Sequence, residues 1–104
     1  MVAPRISLPS ESVAAFCRRW KITQLSLFGS VLRDDFRPDS DIDVLVTYSD
    51  AAEWSLFDAV AMKRELSGLL HRKVDLVSRR AIERSDNWIR RKEILDSAVP
   101  IYAA

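Results

Sequence analysis

The run IDVLVTY, Ile42 to Tyr48, is short, apolar and rich in β-branched residues, which suits a strand better than a helix. It carries Asp43 inside it and Asp41 one step ahead. Side chains alternate along a strand, so both carboxylates point to one face. A second apolar run, Gln24 to Phe28, stops at Gly29, one of only two glycines in the chain. Between the runs lie Asp34, Asp35 and Asp39, offset only by Arg33 and Arg37. Like charges this crowded repel. Either the segment is a solvated loop or a cation belongs there.

The rest of the chain alternates helix and strand with no linker or repeat. Val13, Phe16, Cys17 and Trp20 fall at helical spacing, which predicts an amphipathic helix near 10–20 with Ser10 as N-cap and Cys17 in the core. A short helical turn is expected from Ser30 to Asp35, and RPDS, with Pro38, Asp39 and Ser40, is turn chemistry. Ser55 and Asp58 make a capping box at the start of a longer helix whose buried face is Ala59, Met62, Leu66, Leu69 and Leu70. Gly68 interrupts that helix, a cost that close packing would explain. His71 reads as a surface residue at its end. Lys73 to Ser78 is a third strand, SDNWIRRKEILDSA a weaker helix capped by Ser85 or Asp86, and Pro100 to Tyr102 a last edge strand. The expected fold class is α/β (α+β): a small mixed sheet of three or four strands with helices packed against it.

Composition excludes several function classes. The 104 residues suit one domain, 1–104, and 48% are hydrophobic, enough for a real core. A net charge of +1 gives no global attraction to nucleic acid, so direct nucleic-acid binding is not expected. Lys and Arg are in excess from Lys63 to Lys92, a solvated face or a docking surface. Trp54, Trp88 and Tyr102 are read as core or half-buried packing, with a partner surface as the alternative. With a single cysteine, no leader-like N-terminus and no apolar run of membrane-spanning length, the chain reads as cytoplasmic.

Asp75 sits among Val74, Leu76 and Val77, where burial of a carboxylate is costly unless it is paired or bound. If its strand neighbours Ile42–Tyr48, Asp41, Asp43 and Asp75 converge on one patch. Hard oxygen donors left partly open suit magnesium, which keeps waters and substrate phosphates as its other ligands. Gly29 lets the backbone turn close to a ligand, the amides that follow it can hold a phosphate together with the Ser30 hydroxyl, and Arg33 can pair with a phosphate oxygen. Phosphate donors beside a carboxylate cluster are what transfer from a nucleoside triphosphate requires.

The order Gly-Ser, ten residues, Asp-Ile-Asp resembles the signature of the polymerase-β-like nucleotidyltransferases. The stretch LFGSVLRDDFRPDSDIDVLV looks like their minimal nucleotidyltransferase (MNT) branch, the MntA-like antitoxins of HEPN/MNT toxin–antitoxin pairs. The resemblance covers the whole chain in length and element order. It implies two Mg²⁺ ions held by Asp41 and Asp43, with Asp75 as third ligand and aid in deprotonating the nucleophile. It implies ATP as substrate, its β and γ phosphates gripped by Gly29 and Ser30. Where many relatives read GSRARG this chain reads GSVLRD: Val31 and Asp34 depart from the pattern and Arg33 keeps it. Since larger relatives carry a second domain for the acceptor, the resemblance also implies a protein partner, a HEPN-domain toxin that receives AMP on a tyrosine. Alternatives are a binding-only antitoxin or regulatory subunit, and a nucleotidyltransferase acting on an aminoglycoside-type small molecule.

Overall fold

Helix α1 (Ser10–Arg19) buries Val13, Phe16 and Cys17, the face its spacing predicts. Its start differs from expectation. Pro9 holds the N-cap position without a side-chain hydrogen bond, and Ser10 is already helical. The fixed φ of proline is compatible with helix entry, so the serine has no capping task. Burial pushes the Cys17 thiol up to about 12, which keeps it a protonated packing residue. The computed structural model describes residues 9–32, 41–50 and 54–104.

Strand β1 (Ile22–Phe28) starts earlier than expected, at the buried Ile22. A 3₁₀ turn (Gly29–Leu32) follows it. The remainder of the expected Ser30–Asp35 turn, and the RPDS turn, lie outside the described residues. Strand β2 (Ile42–Tyr48) has the bounds its composition predicts. Helix α2 (Leu56–Leu70) opens on the expected capping box: the Ser55 hydroxyl accepts from the Asp58 amide at 3.2 Å, and the Asp58 carboxylate accepts from the Ser55 amide at 2.9 Å. Met62, Leu66 and Leu70 are buried and Leu69 half-buried, but Ala59 is exposed. Its neighbours Leu56, Phe57 and Val60 are exposed too, so α2 packs only from Met62 onward. The helix ends at exposed His71 in the left-handed conformation, φ 56°.

Strand β3 (Val74–Ser78) runs directly into a short helix, α3 (Arg79–Glu83), that the sequence reading lacks. Helix α4 (Trp88–Ser97) is capped by Asn87, whose side chain accepts from the Arg90 amide at 3.2 Å, and not by Ser85 or Asp86. Ser85 instead accepts from the Asn87 amide. Strand β4 (Val99–Ala103) closes the fold at a sheet edge, the position where Pro100 is tolerated.

The four strands form one mixed sheet in the order β3-β2-β1-β4. β1 is antiparallel to both neighbours, and β2 is parallel to β3. Ile42, Val44 and Val46 face the larger core with Phe16, Met62 and Leu66, so α1 and α2 cover one side. Leu45 faces the other way, with Phe28, Ile82 and Ile94, under α3 and α4. Trp20 and Trp54 stack edge-on at 5.3 Å, and Glu65 of α2 accepts from the Trp20 indole and pairs with Arg19, tying α1 to α2.

No neighbour lies within 4 Å of where a Cβ on Gly68 would stand, so close packing does not explain that glycine. Gly68→Ala is expected to stabilise the protein by about 0.5–1 kcal/mol through helix propensity alone. A denaturant midpoint that falls in the variant would contradict this reading of α2.

Candidate active site

The site is built where β1 ends and β2 and β3 begin. Phe28 pairs with Asp43 across β1–β2, and Asp43 pairs with Asp75 across β2–β3. The two aspartates therefore sit side by side in register. By alternation they belong to the face of Leu45 and Val77, away from the larger core. Asp41 stands exposed just before β2. Directly after Phe28 the chain turns at Gly29, φ 77°, a region that L side chains rarely adopt. A Cβ on Gly29 would collide with the Asp43 carboxylate oxygen and stand 3.3 Å from its Cγ. The missing side chain is what gives that carboxylate its place.

The sequence expectation for this region is met in topology and corrected in detail. β3 does neighbour β2, so Asp75 does share a sheet end with Asp43. Asp75 is exposed, however, not buried among its apolar neighbours. The reason is that β3 is an edge strand, covered only further along, where Val77 meets the second core cluster. No three Asp, Glu, His or Cys side chains among the described residues are drawn together tightly enough to hold one ion. The donor chemistry still fits a hard divalent cation: oxygen-only side chains in register on adjacent strands, one of them lodged in a cradle that a Cβ would fill. Ser30 lies in the 3₁₀ turn after Gly29, and Arg33 lies outside the described residues. Val31, the departure from the common pattern, is fully buried in the larger core.

A cleft of about 910 Å³ opens beside this sheet end, between the β1 terminus and α4. Phe28, Gly29, Leu32 and Asp43 form one wall, and Arg90, Glu93, Ile94 and Ser97 form the other, with Val99 and Pro100 at its base. The α4 wall is missing from the sequence reading, which treats its arginines only as part of a basic stretch. The available signal is the spacing: 90, 93, 94 and 97 are one stripe of a helix. Trp88, at the start of α4, is exposed, whereas Trp54 and Tyr102 are half-buried packing residues. No described helix is long and apolar enough to cross a membrane.

The sheet end thus sets a glycine turn against the first of two in-register strand carboxylates, in a chain that matches the nucleotidyltransferase domain. The chain belongs to that family: residues 10–101 match the family model for the nucleotidyltransferase domain. It is 31% identical over 65 residues to the protein adenylyltransferase MntA of Thermococcus cleftensis, an alignment covering 62% of this chain and 64% of MntA. Against two candidate protein adenylyltransferases of Methanocaldococcus jannaschii it likewise spans less than two thirds of their length, 63%. Among solved structures, a candidate minimal nucleotidyltransferase superposes with a TM-score of 0.67 at 35% identity, covering 88% of this chain and 87% of that one. A chain from the complex of tri-AMPylated Shewanella oneidensis HEPN toxin with MNT antitoxin superposes with a TM-score of 0.60 at 21% identity, covering 91% and 70%. That last likeness is one of fold.

Gly29→Ala is expected to lose at least about 1 kcal/mol in chemical denaturation, from left-handed strain plus the clash with Asp43. Adding Asp43→Ala should relieve the clash and leave the strain. Wild-type stability in Gly29→Ala would show that the turn does not depend on that glycine.

Proposed function

We propose that this chain is a magnesium-dependent nucleotidyltransferase that moves AMP from ATP to a tyrosine hydroxyl of a HEPN-type toxin, and so acts as its antitoxin in the cytoplasm. The observation that carries the reading is the placement of Asp43 against Gly29 and in register with Asp75, at the mouth of a cleft of nucleotide size. Membership of the nucleotidyltransferase family supports the reaction class. The relative named protein adenylyltransferase, and the fold shared with a chain from the complex of an AMPylated HEPN toxin with its MNT antitoxin, support the acceptor.

In this reading residues 1–104 act as one catalytic domain. Asp41 and Asp43 would hold the magnesium, with Asp75 as the third carboxylate. When bound, the metal supplies Lewis-acid polarisation of phosphate oxygens and charge for the leaving group. Gly29 and Ser30 present the turn amides to the β and γ phosphates, with Arg33 as a further cation for the phosphates. The acceptor hydroxyl oxygen attacks the α-phosphorus, the bond to the β-phosphate oxygen breaks, and pyrophosphate leaves. Asp75, exposed on the edge strand, takes the hydroxyl proton. Its exposure supports an acceptor that arrives from outside the chain, on the β3 side.

A binding-only antitoxin is the second reading. It is favoured by the burial of Val31, which makes the turn after Gly29 a packing element at that position. Co-expression with a HEPN-type toxin separates the two. The partner's intact mass should rise by one or more AMP units with the wild-type chain and not with Asp41→Ala. Asp75→Asn should fold and bind nucleotide while transfer falls at least about 10²-fold, the scale for loss of a positioned base. A partner that is bound and silenced without gaining mass would establish the binding-only reading. AMP appearing instead on an aminoglycoside would overturn the protein acceptor.

A further inference from the structure

We propose that Arg90 is a nucleotide-positioning residue, pairing from α4 with the phosphate chain of the nucleotide in the cleft beside Asp43. The inference rests on the nucleotide-transfer reading above and adds a residue on the opposite wall of the site.

The first ground is electrostatic. The described residues lining the cleft include three carboxylates, Asp43, Glu93 and Asp96, and Arg90 is the only Lys or Arg among them. A triphosphate is a polyanion, and a cleft with that excess of acid opposes its entry unless cations offset it. The turn after Gly29 contributes no side-chain cation at its next two positions beyond Ser30. Val31 is buried, and Leu32 packs against the larger core. Arg90 therefore supplies positive charge from α4 where the wall opposite is apolar and acidic.

The second ground is placement. Arg90, Glu93, Ile94 and Ser97 share one stripe of α4, and Ile94 anchors that stripe in the cluster with Phe28 and Leu45. The Asn87 side chain accepts from the Arg90 backbone amide at 3.2 Å, which fixes the first turn of the helix. The arginine thus projects from a capped and anchored helix, so less freedom is lost on binding than from a loop. Its planar guanidinium can meet two phosphate oxygens at once, which a lysine cannot reproduce.

The test is steady-state AMP transfer to the HEPN-type partner at varied ATP, together with equilibrium dialysis of ATP and Mg²⁺ against the chain alone. Arg90→Gln is compared with Arg90→Lys and with Arg80→Gln, an exposed α3 arginine outside the cleft lining that controls for net charge. Arg90→Gln should raise both KM for ATP and the dialysis Kd roughly tenfold, the scale of one charge-assisted pair, with a smaller change in kcat. Arg90→Lys should recover part of the loss, and Arg80→Gln should match wild type. If transfer is normal in wild type and Arg90→Gln leaves KM and Kd unchanged, or Arg80→Gln weakens binding equally, the role of Arg90 is overturned while the transfer reading stands. If wild type binds ATP but transfers nothing, the transfer reading fails, and the Kd series alone decides the role of Arg90. Absence of ATP binding by wild type overturns both.

Discussion

Strand β2 is covered on both faces, and that constraint fixes where its charged end lies. Ile42, Val44 and Val46 must enter the core under α1 and α2, while Leu45 must meet Phe28, Ile82 and Ile94 on the other side. A slip of one residue would exchange these sets and drive Asp43 into the larger core. The burial pattern that stabilises the sheet is thus the same pattern that holds Asp43 on the α3–α4 face. Register with β1 then brings Gly29 beside it, and register with β3 brings Asp75.

The site is distributed over the fold in a way that separates structural from chemical work. The larger cluster, with Phe16, Met62 and Leu66 fully buried, carries the packing, and no carboxylate of the candidate site belongs to it. Glu65, which does help hold the fold, is engaged with Trp20 and Arg19, just ahead of the start of β1 and so at the end of that strand opposite the site. The smaller cluster does both jobs: Phe28 and Ile94 pack with Leu45 and also line the cleft. Substitutions there are expected to mix stability and binding effects, whereas those at Asp41 or Asp75, both exposed, are expected not to.

Much of this was legible in the sequence where one strong local rule acted. The β-branched run gave β2 its bounds, the Ser55–Asp58 pair gave α2 its start, and Pro100 marked an edge strand. The neighbouring of β2 and β3, needed to join Asp43 to Asp75, is only a condition in the sequence, because strand composition does not choose a partner; the structure meets it. The failures have physical causes. α3 is a single short turn with only Ile82 buried, too brief for periodicity to register. Asn87 outcompeted Ser85 and Asp86 as a cap because all three are capping residue types and only tertiary placement chooses among them. Asp75 was expected to be buried because strand neighbours are apolar, but an edge strand covered only towards its far end leaves that position open. The cleft wall on α4 depends on how that helix crosses the sheet, which no local pattern encodes.

The central claim is that the sheet end marked by Gly29, Asp41 and Asp43 is where metal and nucleotide bind. It is tested most directly by the thermal midpoint with and without Mg²⁺ and ATP, in wild type and in Asp41→Asn/Asp43→Asn. A ligand that binds only the folded state must raise the midpoint. The account predicts a rise in wild type and none in the double variant. An equal rise in the double variant would contradict the account, since the ligand would then bind without these carboxylates.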